Sequence, residues 1–437
     1  MANIENAKKI GFWACTALVI GNMIGSGIFM LPAALAAYGG ISLIGWMVAS
    51  LGAVLLAVVF GYLGQLAPDA NGGPFAYTRL GMGDFSAYMV AWGYWTSIWF
   101  ANTAITVALV GYLAVFFPII GESAGVAIIT GLGFIWVFTW INSKDIKTIA
   151  AVSIITTILK ITPIFLIGIW GLFYVQTENF TPFNLSGESS FSAIMTTTVL
   201  TFFAFLGMES ATIPSGSVKD SARTVKRATM FGTLVTVVAY ILSSVAIMGI
   251  IPAEVLSKSS APFADAAAIF WGESARYMVA AGAVLATMGA LNGWILMQGT
   301  IPLAAAKAGL FPKIFGKINS TNSPISGIVI SSALVSVLML VNYSSSLIET
   351  FSFMMELTTL AVTLPYLLSI ASLLILSKKS ENGYYKKVAV SIVTFIFTLG
   401  IISGSSSEVL IWGFGLLLLG VPLYFWLTRK NSVQNEK

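Results

Sequence analysis

Three ionisable side chains fall inside long apolar runs, where charge is hard to hold: Lys160, Glu209 and Glu356. At the centre of a bilayer such a group costs about 2.5–3.5 kcal/mol on insertion scales, so each needs a reason. Glu209 follows Gly207 in Thr201-Phe202-Phe203-Ala204-Phe205-Leu206-Gly207-Met208-Glu209-Ser210. It can stabilise unwound backbone, bind a cationic group, carry a proton, or serve as a fixed hydrogen-bond acceptor. Lys160 sits too deep in its run to reach water easily. Its ammonium can stand in for a bound sodium ion beside a broken helix, give up its proton as its surroundings change, or pair with a buried carboxylate. Glu356, in Met354-Met355-Glu356-Leu357-Thr358-Thr359, lies about two turns from the end of its run. There it can face an outer vestibule, the far end of a pocket, or solvent.

A second kind of chemistry belongs to backbone. Gly21-Asn22-Met23-Ile24-Gly25-Ser26-Gly27-Ile28-Phe29 lies in the middle of the first apolar run. An interior glycine costs a helix about 1 kcal/mol relative to alanine. Non-helical backbone is tolerated at membrane depth only inside protein or along a cavity. Freed N–H and C=O groups there can grip a polar solute. The alternative is a small-residue helix-packing face, since Gly21 and Gly25 are four apart. Aromatic residues gather on other runs: Trp92, Tyr94, Trp95, Trp99 and Phe100 with Asn102 nearby, then Phe202, Phe203 and Phe205, then Trp294. Such faces can close a pocket over a cation or form interfacial belts. Asn102 can bond a ligand's side chain or hold helices together.

These residues must be positioned by membrane helices. The chain is 57% hydrophobic and 9% charged, with mean hydropathy +0.91. A spanning helix needs about 20 residues, and twelve such runs are present, at 11–36, 41–65, 84–116, 125–142, 150–174, 193–213, 229–251, 276–302, 327–343, 350–377, 387–403 and 409–428. With the N-terminus inside, only Lys258 and Arg276 among the 22 Lys and Arg residues fall in outer loops, and Lys160 falls within a span. The positive-inside rule then places both termini in the cytoplasm. Lys8 and Lys9 precede no recognisable cleavage pattern, so no signal peptide is expected. Cys15 is the one cysteine and there is no histidine. That argues against an intrachain disulfide, a histidine-ligated metal and a Ser-His pair, so no enzyme, metal or cofactor is expected. The spread of the +5 net charge argues against nucleic acid. A channel filter or a soluble signalling domain is not evident either, which disfavours a channel or a membrane sensor.

Three connections add detail. Pro68 to Tyr77 carries helix breakers and aromatics that fold back on the bundle. Lys219, Asp220, Arg223, Lys226 and Arg227 read as an ordinary basic inner linker, with a lipid-headgroup role as the alternative. Pro252 to Ser274 is expected to form short interfacial helices closing the outer side. The interruption near Gly207 echoes the one near Gly25. Spans 1–5 and 6–10 would then be two inverted halves, about 11–174 and 193–377, with breaks at matching places. Two extra helices at about 387–428 complete a single domain over 1–437.

The chain resembles the amino acid–polyamine–organocation superfamily, nearest its bacterial basic amino acid/polyamine antiporters of the arginine/agmatine type. The likeness rests on Gly21-Asn22-Met23-Ile24-Gly25-Ser26-Gly27 with Leu31-Pro32-Ala33, Gly72-Gly73 with Ala76-Tyr77, Gly207-Met208-Glu209-Ser210, Gly293-Trp294, Gly309-Leu310-Phe311-Pro312 and Pro365-Tyr366. It implies an all-α, twelve-helix, LeuT-type 5+5 inverted repeat with helices 1 and 6 broken, commonly a homodimer in the inner membrane. It also implies that amides near Ser26 and Gly27 take a substrate α-carboxylate, and that carbonyls near Met23 and Leu206 take its ammonium. Trp294 would pack on the substrate stem and Asn102 would define the side-chain end, with Tyr94 and Glu209 in the inner gate. Phe203 stands where the arginine antiporters have a stacking tryptophan. Lys160 replaces a small apolar residue and is similar to that of proton-coupled or sodium-independent members. The expected activity is exchange of an amino acid, cationic or otherwise, against a related amino acid or amine. The alternative is proton-linked symport or export of neutral amino acids.

Overall fold

The computed structural model describes residues 10–68, 72–144, 160–320, 323–342, 346–380 and 383–435. The first apolar run is two helices. α1 (Phe12–Met23) ends at Ile24, whose ψ of 86° leaves the helical region, and α2 (Gly27–Ala36) resumes after Gly25 and Ser26. α3 (Ser42–Leu66) then leads to α4 (Pro74–Leu113), which turns sharply at Gly83 with φ 81°. Pro74 to Met82 is thus a helical stretch of its own, and the expected span start near residue 84 coincides with the turn.

The short α5 (Ile119–Glu122) precedes α6 (Ala124–Asn142), and α7 is described over Lys160–Tyr174. The first ten residues of the expected 150–174 span lie outside the described residues. α8 (Ser190–Phe202) is followed by α9 (Ser221–Ile250). The basic residues Arg223, Lys226 and Arg227 belong to the first two turns of α9, which corrects their reading as a linker. Hydropathy marks where lipid begins, and nothing between Ser221 and Thr229 breaks a helix. The connection from Pro252 to Ser274 contains two short helices, α10 (Ala253–Leu256) and α11 (Pro262–Trp271). α12 (Glu273–Lys307), α13 (Ile325–Asn342), α14 (Leu347–Leu376), α15 (Tyr384–Gly404) and α16 (Ser407–Asn435) complete the chain.

Among the described residues, ten helical stretches are long and apolar enough to cross a membrane, and Lys160–Tyr174 and Ile325–Val341 are shorter apolar helices. This is a multi-pass membrane protein. Of the residues in the apolar stretch of α4, 94% are buried, against 22% in that of Ser407–Arg429, so α4 is central and α16 lies at the periphery. Trp412, Leu418 and Leu419 on α16, with Ile392 and Ile396 on α15, are exposed as a lipid-facing surface requires. Around α4 pack α14, α12 and the two breaks.

Candidate functional site

The first break leaves backbone unpaired in the protein interior. Ile24 N–H donates to Ile20 O and Gly25 N–H to Met23 O, closing off α1. Beyond them, the amides of Ser26, Gly27 and Ile28 have no partner among the described residues. Ser26 caps α2 but its hydroxyl makes no capping bond, and its Oγ is buried without a partner. The first turn of a helix carries free donors and a partial positive charge. A carboxylate suits such a place.

The second break lies directly against the first. After α8 the chain makes a tight turn over Phe203–Phe205, extends at Leu206 (ψ 138°), and passes through Gly207 at φ 98° before the turn Met208–Thr212. Gly207 is required here: its φ is unfavourable for L side chains, and a Cβ would sit 3.1 Å from Asn22 Cβ. Likewise a Cβ on Gly27 would lie 3.3 Å from Ala204 Cα. Tyr240 of α9 joins the two breaks: its hydroxyl donates to Met23 O at 2.6 Å and lies 3.2 Å from Ala204 O. Farther along α2, Tyr112 donates to Phe29 O and accepts from Phe263 N–H, tying α2 to α4 and α11.

Between the breaks lies a cavity of about 30 Å³, space on the order of two water molecules. It is lined by Met23, Ser26 and Gly27 from the first break, Phe203, Leu206 and Glu209 from the second, and Tyr94 and Trp294 from α4 and α12. A second cavity of about 300 Å³ is lined by Gly72, Pro74, Phe75 and the α12 residues Met297, Thr300, Ile301 and Ala304. Tyr94 and Glu209 line both cavities and so form the wall between them. Glu209 is buried and held by two tyrosines, Tyr94 of α4 and Tyr366 of α14, the latter donating at 3.0 Å. A buried carboxylate with both oxygens hydrogen-bonded is far cheaper to keep than a bare one.

The remaining expected residues lie elsewhere. Asn102 does not line the cavity: its amide donates to Gln298 at 2.7 Å, and Gln298 continues to Ser332 and Thr139. It therefore ties α4 to α12, the helix-joining alternative, while Ala101 and Ile105 line the cavity from the same helix. Lys160 is buried and donates to Gly21 O at 3.3 Å, fastening α7 to the last turn of α1. Among the described residues no carboxylate pairs with it. Glu356 is turned away from the cavity and accepts from Ser406 N–H at 3.3 Å, where α16 starts. Thr358 lines the cavity instead, because residues two apart on a helix point to nearly opposite sides. The Met23 carbonyl already accepts from Gly25 and Tyr240, which leaves Leu206 as the more available acceptor.

The sequence alone does not single out Tyr240, Tyr366 and Thr358, which the structure places at the two breaks and the cavity. A tyrosine deep in an apolar run announces a buried acceptor, but sequence does not say which one. Among the described residues, no cluster of His, Cys, Asp and Glu suits a metal ion.

Residues 10–420 match the amino acid permease family. The chain belongs to that family. It is 31% identical over 447 residues to the cadaverine/lysine antiporter of Escherichia coli strain K12, covering 99% of this chain and 98% of that protein. It is 32% identical over 439 residues to the putrescine transporter PotE of Haemophilus influenzae, covering 98% and 99%. It is also similar to the arginine/ornithine antiporter of Pseudomonas aeruginosa, at 31% over 395 residues, 86% of this permease and 81% of that one.

Proposed function

We propose that this permease is a secondary transporter that exchanges a cationic amino acid for a related amino acid or amine by alternating access. The observation that carries this reading is the pairing of the two breaks around a buried cavity, with the Ser26 hydroxyl and the α2 amides unpartnered on one side. The substrate α-carboxylate would take those donors and its α-ammonium the Leu206 carbonyl. Trp294 and Phe203 would pack on its stem. Glu209 is the one acidic side chain lining the cavity, which favours a positively charged substrate. Relatives named for cadaverine, lysine, putrescine, arginine and ornithine support the same class.

In this reading the chain is a single domain of twelve spans, with inverted halves at about 11–174 and 193–377 and two further helices after them. It sits in the cytoplasmic membrane with both termini inside, as a homodimer. The small central cavity must widen to admit a substrate, and the Tyr94–Glu209 wall is where it would join the larger cavity beside it. Lys160 favours a second reading, proton-linked movement of neutral amino acids, because its ammonium rests on the helix end that carries the first break.

Uptake into proteoliposomes separates the two readings. The proposed exchange requires unlabelled lysine, arginine or ornithine inside the vesicles and gives little uptake without it. Equal uptake into empty vesicles under a pH gradient would establish the second reading in its place.

A further inference from the structure

A groove of about 860 Å³ lies where α3 finishes and α9 begins, away from the central cavity. Arg223, Lys226 and Arg227 line it, with Gln65 of α3 and Phe12 of α1. Arg223 and Arg227 are exposed and one helical turn apart, so they share a face. Neither has an ion-pair partner among the described residues. Lys226 donates to Gln65 at 3.2 Å and lies over the Tyr62 ring at 4.5 Å. Asp220, just before the helix, is the one acidic residue in the lining.

The same face of α9 changes character along its length. Phe231, Leu234 and Val238 follow Arg227 at helical spacing, and all three are exposed. Trp13 of α1 stands edge-on to Phe231 with ring centres 6.1 Å apart. A cationic groove therefore opens onto an apolar track running along the helix. A free anion would use only the first part. A phospholipid uses both, with its headgroup phosphate on the arginines and an acyl chain along the track.

We propose that this groove is a binding site for one anionic phospholipid. The occupant touches Phe12, on the helix that carries the first break. The assignment depends only on the protein's residence in a membrane and not on what it transports.

Native mass spectrometry of the purified full-length protein, released from mixed phosphatidylglycerol and phosphatidylcholine, tests it. The wild type should retain one phosphatidylglycerol in preference to phosphatidylcholine. R223Q/R227Q should reduce that retention on the order of tenfold, and R223K/R227K should keep most of it. R227Q alone should give a smaller loss in the same direction, which preserves the test if the double variant folds poorly. Retention unaffected by these substitutions, or equal for the two lipids, would overturn the assignment. Displacement of the lipid by inorganic phosphate alone would overturn it too, because the apolar track would then contribute nothing.

Discussion

The two breaks are built from opposite materials. The first, Ile24 to Ser26, leads into α2 with the amides of Ser26, Gly27 and Ile28 and the Ser26 hydroxyl unpartnered among the described residues. The second, Leu206 to Glu209, carries a full charge, and two tyrosines satisfy it. Buried polar groups without partners are expensive, so a protein keeps them where a ligand completes them. A carboxylate fastened to α4 and α14 instead holds those two helices and the second break in one arrangement. Under the proposed function the first break would receive the solute, and the second would act as a latch between the central cavity and its larger neighbour.

Crowding the first break should have the largest effect. Gly27→Val would push a branched side chain onto Ala204 backbone, which cannot move aside as a flexible side chain would. Overpacking of this kind costs about 1–3 kcal/mol, so substrate binding measured by calorimetry should fall by about tenfold or more. Gly25→Ala is the control: its Cβ would lie 3.6 Å from Ala290, an ordinary contact, and binding should be largely kept. Equal losses in the two variants would mean that the break is merely tight everywhere.

Loosening the latch comes next. Tyr366→Phe removes the donor to one Glu209 oxygen, a change worth about 1–3 kcal/mol for a buried acceptor. The thermal midpoint should fall, while the affinity for substrate should change much less than in Gly27→Val. A binding loss as large as that of Gly27→Val would place Tyr366 in the binding site and dissolve the distinction between the breaks. The smallest effect is expected at Glu356, which caps the start of α16 and touches neither break. Glu356→Gln should leave transport within about twofold of wild type; a larger change in rate would return it to the transport machinery.

Much of this arrangement was legible in the chain. Glycines and small polar residues amid apolar runs located both breaks, because a helix in lipid tolerates them only with a compensating partner. Glu209 and Lys160 could be flagged for the same reason. Their partners could not be read. Whether Asn102 bonds a ligand or Gln298 depends on the rotation of α4 against α12, and hydropathy carries no such information. Glu356 and Thr358 differ by two positions and by about half a helical turn, so which of them faces the cavity depends on how α14 is rotated, and hydropathy does not fix that. The basic start of α9 reads as a linker in the sequence because charge ends a hydrophobic run without ending a helix.

In the proposed function the amides and hydroxyl at Ser26–Gly27 hold a substrate carboxylate. Equilibrium binding of lysine and of lysine methyl ester to the purified permease tests it most directly, since the two share their ammonium groups and differ at the carboxylate. A charged hydrogen-bonded group is worth about 1.5–3 kcal/mol, so the ester should bind at least about tenfold more weakly. Equal affinity for the two would contradict the claim.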